Sequence, residues 1–289
     1  MRPNIGTTTF ALLLAGSACQ HQQAPTPATA EVDEPTQLAP LATEGLCLDE
    51  PTLLWDEPGL RVETQAWYLG EDQGTAWRVR TPVHSDVRVV PSDRVVRLAD
   101  LAPDEPGPWA AINGGFYEVG AMGLVVADGN ERSPLTERGG SGVFLVDEKG
   151  PRVVHRSDWE PGPSQALQSL DRLVDGGLSV WPEHAGAPRA ARSAVAISED
   201  ALWLVVAVDR RSIPDGVEPL QLTHTVGYGL PGWAFAELLV QGVGAQQALN
   251  MDGAISTQLE VVGTENVLSI LGQSGTINAI VVRPGAHED

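Results

Sequence analysis

From Leu46 to Pro284 the chain is broken by glycine and proline into short apolar runs, and in most of them apolar and polar residues alternate. Alternation with a period of two marks a half-buried strand, and a chain cut into many such pieces folds as sheets joined by tight turns. Residues 60–69, 75–80, 87–90 and 95–98 predict strands, followed by a buried strand over 109–112 that ends in Asn113-Gly114-Gly115-Phe116-Tyr117. The series continues through 122–127, 142–146, 165–169, a hairpin of 191–197 with 202–208, and 277–282. One segment differs: over 232–240, Trp233, Ala236, Leu239 and Val240 recur at helical spacing, and Gly242 and Gly244 close the run. The expectation is an α+β fold, a single domain over 46–284 with a mainly antiparallel or mixed sheet and few helices. With 42% hydrophobic residues in 289, the chain has ample material for its core.

The stretch Ala248-Leu249-Asn250-Met251-Asp252-Gly253 carries most of the chemistry. An apolar approach ends in two polar residues, and a glycine follows at once. A carboxylate on such a turn is either part of an ordinary Asp-Gly hairpin or a fixed functional group, with Gly253 free to take a positive φ or approach a ligand. Asn113, Asp128, Asp175 and Asp209 stand at similar strand ends. Turn chemistry accounts for Asp128. Apolar runs lead into Asp175 and Asp252, so both need partners, and Arg192 in a short apolar strand is the natural one, whether as an ion pair or as part of a site.

Charge and cysteine content exclude several classes. The chain has 38 acidic against 18 basic residues, a net charge of -20, and Lys149 is its one lysine. No basic stripe exists to displace counterions from phosphates, so nucleic acid is not an expected partner. Cys19 and Cys47 are the two cysteines and the six histidines are scattered, so no zinc pattern forms and neither a metal nor another cofactor is expected. Gly227-Tyr228-Gly229-Leu230-Pro231-Gly232 has the GxGxxG spacing of dinucleotide sites, but 221–226 is too polar for a central parallel strand and no second βαβ half follows. No Gly-Xaa-Ser-Xaa-Gly elbow occurs.

Residues 1–18 carry Arg2, an apolar core over 10–15 and small residues before Cys19, which is the pattern of an export signal. It resembles bacterial lipoprotein signals, in which Cys19 becomes the lipid-bearing N-terminus and the only contact with a membrane. Gly16 stands where such signals usually have Leu, so cleavage after Ala18 without lipid is the other reading, and Cys19 is then free to pair with Cys47. Residues 19–45 are rich in Gln, Pro, Thr, Ala and Glu and predict a disordered tether, and 285–289 a short tail. The localisation expected is the periplasm or outer membrane as a lipid-anchored protein, or secretion.

An ordered set of motifs resembles the phosphodiester glycosidase family. The set is Asn113-Gly114-Gly115-Phe116-Tyr117, Gly123-Leu124 with Asp128-Gly129, Gly142-Val143-Phe144, Gln168-Ser169 with Leu173-Val174-Asp175-Gly176, Arg192-Ser193, and Asn250-Met251-Asp252-Gly253 with Ser256. The resemblance implies hydrolysis of a sugar-1-phosphodiester, with Asp252, Asp175 and Arg192 as catalytic residues. It implies Asn113, Gly114, Gly115, Gln168, Asn250, Gly253 and Ser256 as the residues that bind a carbohydrate or sugar-phosphodiester ligand. Two departures stand out. Ala254 and Ile255 follow Asp252-Gly253 where the enzymes usually have Gly and then a small residue or Pro, and Asp209-Arg210-Arg211 replaces the usual Asp-Gly-Arg. A non-catalytic glycan or phosphoglycan binder of the envelope is the alternative on the same fold.

Overall fold

The computed structural model describes residues 45–103, 106–181, 188–213, 221–225 (as backbone) and 228–285. The signal, Cys19, the tether up to residue 44, and Gly227 of the glycine pattern lie outside these residues. In chain order the strands are β1 (Cys47–Leu48), β2 (Thr52–Glu57), β3 (Leu60–Leu69), β4 (Asp72–Pro82), β5 (Asp86–Val96), β6 (Trp109–Asn113) and β7 (Val125–Ala127). Next come β8 (Asn130–Ser133), β9 (Gly142–Asp147), β10 (Gly150–His155), β11 (Gln165–Ser169), β12 (Arg172–Asp175) and β13 (Leu178–Ser179). β14 (Arg192–Ile197), β15 (Ala201–Asp209) and β16 (Gln221–Thr225) precede the helix α1 (Gly232–Val243). The chain closes with β17 (Gln247–Asn250), β18 (Leu259–Val262), β19 (Val267–Gly272) and β20 (Thr276–Arg283).

Most of these elements stand where alternation puts them, and the exceptions have physical causes. Where two strands, 87–90 and 95–98, are expected, Asp86–Val96 forms the single strand β5 and Leu98–Leu101 a 3-10 turn, because Pro91 lies at the edge of its sheet, where a missing N–H breaks no ladder. The β7–β8 turn has positive φ at Asp128 (50°) and Gly129 (73°), the two left-handed positions a tight hairpin needs. β16 is a strand parallel to β19, but at a sheet edge, and α1 carries the chain from it into a different sheet. No βαβ unit results, and the glycine pattern before α1 has no dinucleotide fold around it.

Three sheets assemble the α+β fold. A nine-stranded sheet runs β1-β3-β4-β15-β14-β17-β12-β13 with β2 on β3, a five-stranded one runs β10-β9-β11-β7-β8, and a six-stranded one runs β16-β19-β18-β6-β20-β5. One face of the large sheet packs on the other two sheets through Trp77, Val195, Val206, Leu249, Phe144 and Ile112. Its opposite face holds Ala194, Ala196, Ala207 and Ala248, small enough for α1 to lie close with Phe235, Leu238 and Leu239. Burying large aliphatic and aromatic side chains contributes roughly 1.5–3 kcal/mol each, which makes these two interfaces the main source of stability.

Both ends of α1 are fixed. At its C-terminus the Gly242 carbonyl accepts from Arg78 Nη1 at 2.7 Å, a cation where the helix dipole is negative, and Gly244 (φ 65°) ends the helix. At its N-terminus Gly232 lies under the Trp181 indole, where a Cβ would come within 2.3 Å of the ring. Leu230, just ahead of α1, forms a bridge to Ala190. The helix N-terminus is thereby held over the ends of β12, β14 and β17.

A candidate active site at the end of the large sheet

Register brings the polar strand ends together. Ala194 faces Asn250 across β14–β17, and Arg172 faces Leu249 across β12–β17. One step further along the second ladder, the Asn250 N–H donates to the Asp171 carbonyl at 3.0 Å, so Asp171 stands opposite Asn250. On the other side, the Met251 and Ala254 N–H groups donate to the carbonyls of Ser193 and Ala191, both at 2.8 Å, which sets Arg192 level with Asp252. Directly opposed residues share a face, and residues two apart on a strand share it too. Asp171, Asn250 and Arg192 therefore share the α1 face at one corner of the sheet, beside the helix N-terminus and Trp181, and Asp252 follows just beyond the end of β17 at the same corner, its N–H donating to the Gly114 carbonyl at 2.9 Å.

Each group there has a distinct environment. Burial pushes the Asp252 carboxyl above the ordinary carboxylate value, and hydrogen bonds from the Ser256 hydroxyl and the Gly253 N–H (2.9 Å to Oδ1) oppose that shift. Asp171 is half-buried and is also raised by burial, with no hydrogen bond to its carboxyl among the described residues. Asn250 is 2% exposed, and its Oδ1 has no hydrogen-bond partner among the described residues. Burial lowers the Arg192 pKa. Its Nε donates to the Leu230 carbonyl (2.9 Å), its Nη2 to the Pro188 carbonyl (2.8 Å), and its guanidinium lies 5.9 Å from the centre of the Trp181 ring. No carboxylate pairs with Arg192 among the described residues, so the expected Asp175 or Asp252 ion pair is not formed and the remaining guanidinium N–H groups are available.

Several expected ligand contacts are instead structural. Asn113 is fully buried: its Oδ1 accepts from Ser193 Oγ and the Gln258 N–H, both at 2.9 Å, and its Nδ2 donates to the Asp252 carbonyl at 2.7 Å. It positions Asp252 from behind. Asn113→Ala strands three buried groups, and chemical denaturation should show a loss on the order of 3 kcal/mol. Gln168 uses its whole carboxamide on backbone, accepting from Leu124 and Thr136 and donating to the carbonyls of Thr136 (2.6 Å) and Gly140 (2.8 Å), so it fastens a loop and has no bond left for a sugar. Ser256 serves Asp252. Gly114 and Gly115 are glycines because a Cβ would collide with Asn278 and with the Gln168 carbonyl, at 1.9 and 2.5 Å.

Asp175 does not reach the corner. It pairs with Gln247 at the opposite end of β17, roughly 15 Å from Asp252 at the usual rise per residue, and it is exposed and bonded to Arg172 at 2.5 Å. A glycine-flanked aspartate in a hairpin looks alike at either end of a strand, and only register separates the two. The same register supplies Asp171, which sequence reasoning missed because nothing in Ser169-Leu170-Asp171-Arg172 marks it. The loop after β15 keeps a firm geometry despite its altered motif, since Asp209 accepts from the Arg211 N–H and side chain, and Arg211 also reaches Asp72.

The turn after Asp252 differs from expectation. Gly253 is extended and is small because a Cβ would sit 2.8 Å from the Ala191 carbonyl, while Ala254 takes the left-handed conformation (φ 54°). A residue with a Cβ is strained there. Ala254→Gly should raise stability by up to about 1 kcal/mol, read as a higher urea midpoint at unchanged slope.

Comparison with known proteins places this corner in a family. A family model described as phosphodiester glycosidase matches residues 107–283, which takes in every element of the corner. The fold is similar to a hypothetical protein from Synechocystis (17% identity, TM-score 0.54), with 81% of this chain and 64% of that one covered, so the chain spans about two thirds of that protein's length. It is also similar to the catalytic domain of zebrafish N-acetylglucosamine-1-phosphodiester alpha-N-acetylglucosaminidase, auto-inhibited by its pro-peptide (14% identity, TM-score 0.52, 84% and 89% covered). No curated protein matches significantly. At these identities the structures establish the fold, and the family model, covering more than half of the sequence, establishes that the chain belongs to the phosphodiester glycosidase family.

Proposed function

We propose that this protein is an exported hydrolase of the cell envelope that cleaves sugar-1-phosphodiesters between C1 and oxygen. The observation that carries this reading is the placement at one sheet corner of Arg192 with no carboxylate partner, Asn250 with no donor to its buried Oδ1, both among the described residues, and the buried Asp252. Arg192 offers a planar set of N–H donors to phosphate, and the N-terminus of α1 adds a favourable field for an anion. Asp252 supplies the negative charge that an oxocarbenium-like centre at C1, or the water attacking it, requires. The leaving group is a phosphomonoester with a last pKa near 6, which departs without full protonation. In the balanced reaction, water oxygen bonds to C1, the C1–O bond electrons leave with the phosphate, and the water proton passes to the carboxylate and then to solvent.

Release of free sugar from a panel of sugar-1-phosphodiesters tests this reading. Turnover that disappears in Asp252→Asn supports it, and a wild-type protein that retains these compounds without cleaving them is a glycan binder instead. The observation that favours this second reading is the left-handed backbone of Ala254, two residues after Asp252. Residues 1–18 and Cys19 support export with a lipid anchor. Mass spectrometry of the mature N-terminus decides it: a diacylated Cys19 is expected, and an unmodified terminus after Ala18 rejects the anchor.

A further inference from the structure

The corner has a polarity that runs across the strands. On the β14 side Arg192 has N–H donors left over, and a donor without a partner calls for an acceptor. On the β12 side the reverse holds. Among the described residues neither the buried Asn250 Oδ1 nor the Asp171 carboxyl next to it accepts a hydrogen bond. Directly opposed side chains in such a pair have Cβ atoms about 5 Å apart, so these acceptors form one patch. Acceptors taken out of water without donors are costly, and a hydroxylated ligand at the corner would supply donors to the half-buried Asp171 carboxyl. From β14 across β17 to β12 is two strand spacings, about 10 Å, the span of a hexose carrying a phosphate.

We infer that Asp171 and Asn250 form the sugar end of the site and that Asp171 selects neutral sugars with adjacent free hydroxyls on the ring edge away from C1. This rests on the reading of the corner as a sugar-1-phosphodiester site and adds its substrate class and its orientation. With phosphate at Arg192 and C1 over Asp252, the far ring edge lies at Asp171. An ionised carboxylate accepts two hydroxyl donors at once, and it repels a sugar that carries its own carboxylate. The Trp181 indole, packed on Gly232 and beside Arg192, walls the same side of the corner. Among the described residues, the other charged groups on the elements around Asp171 are Asp252 and Arg192 at the corner, Arg172 and Asp175, which pair with each other, and Arg156, bonded to the Glu137 and Gly140 carbonyls. None of these neutralises Asp171.

The test uses methyl phosphodiesters of glucose and N-acetylglucosamine 1-phosphates in both anomers, their 3-deoxy and 4-deoxy analogues, and the glucuronic acid compound. Dissociation constants by calorimetry and kcat and KM are measured on the wild type, Asp171→Asn and Asp171→Ala, with melting curves to verify folding. The wild type is expected to favour the fully hydroxylated neutral sugars by tenfold to hundredfold. Asp171→Ala should raise their Kd and KM by about tenfold with a smaller change in kcat and erase the preference over the deoxy sugars. Asp171→Asn should relieve exclusion of the glucuronate. Unchanged discrimination in folded variants overturns the inference and leaves the hydrolase reading standing. Binding with this discrimination but no turnover overturns the hydrolase reading and supports the sugar-end assignment, and a panel that neither binds nor reacts overturns both.

Discussion

Asp252→Asn is expected to lower turnover on the order of hundredfold or more while the protein melts within a few degrees of wild type. The substitution preserves size and an oxygen to accept from the Gly253 N–H, while it removes the charge and turns the second acceptor oxygen into an NH2 donor, with which the Ser256 hydroxyl pairs by accepting. The pH dependence carries a definite sign. Because burial raises the folded-state pKa of Asp252, its protonated form is favoured by the fold: the stabilisation is complete below the unfolded pKa and is lost as pH rises through the folded one. Near neutral pH the ionised carboxylate is thus a burden on stability, and the uncharged asparagine should leave stability unchanged or slightly higher. Activity should move the opposite way, with an acid limb above the pH where an ordinary aspartate titrates. Turnover and melting measured on one preparation decide between a functional and a structural Asp252, and a well-folded variant with full activity would refute the assignment.

Arg192→Lys should be nearly as damaging to turnover, by tenfold or more, and it should also cost stability. The guanidinium bonds two carbonyls, those of Leu230 and Pro188, lies against the Trp181 ring, and still has N–H groups free. An ammonium has the same charge but not the planar fork, so it either keeps the carbonyls or turns to the phosphate. The effect should fall mainly on substrates with a phosphodiester and appear in KM as well as kcat. An Arg192→Lys variant with wild-type kinetics would remove phosphate recognition from this side chain.

The elements of the fold were largely legible because strands and the helix are local periodic patterns. β3 has the bounds that alternation gives it, and α1 begins where its pattern begins and runs one turn further. The marginal elements were not legible: β2, β10 and β19 are strands because neighbours complete their ladders. Within the candidate site, Asn250, Asp252 and Arg192 were identifiable from their place at the ends of apolar runs. Which polar strand ends meet a ligand and which hold the fold together was not, because Asn113 and Gln168 have the same residue types but are saturated with internal hydrogen bonds.

The sequence by itself determined that residues 46–284 form many short strands and the helix over 232–240, and that the strand-end carboxylates, amides and arginine need partners. Those are properties of neighbours along the chain, fixed by side-chain alternation and by the burial cost of polar groups. Only the tertiary structure decided which of them face one another. Pairing β17 between β12 and β14 put Asp171 and Arg192 on either side of the Asn250–Asp252 turn and sent Asp175 to the far end. Strand register is a long-range choice made by the packing of whole sheet faces, and a shift along the ladder changes every neighbour without altering the local pattern from which strands are read.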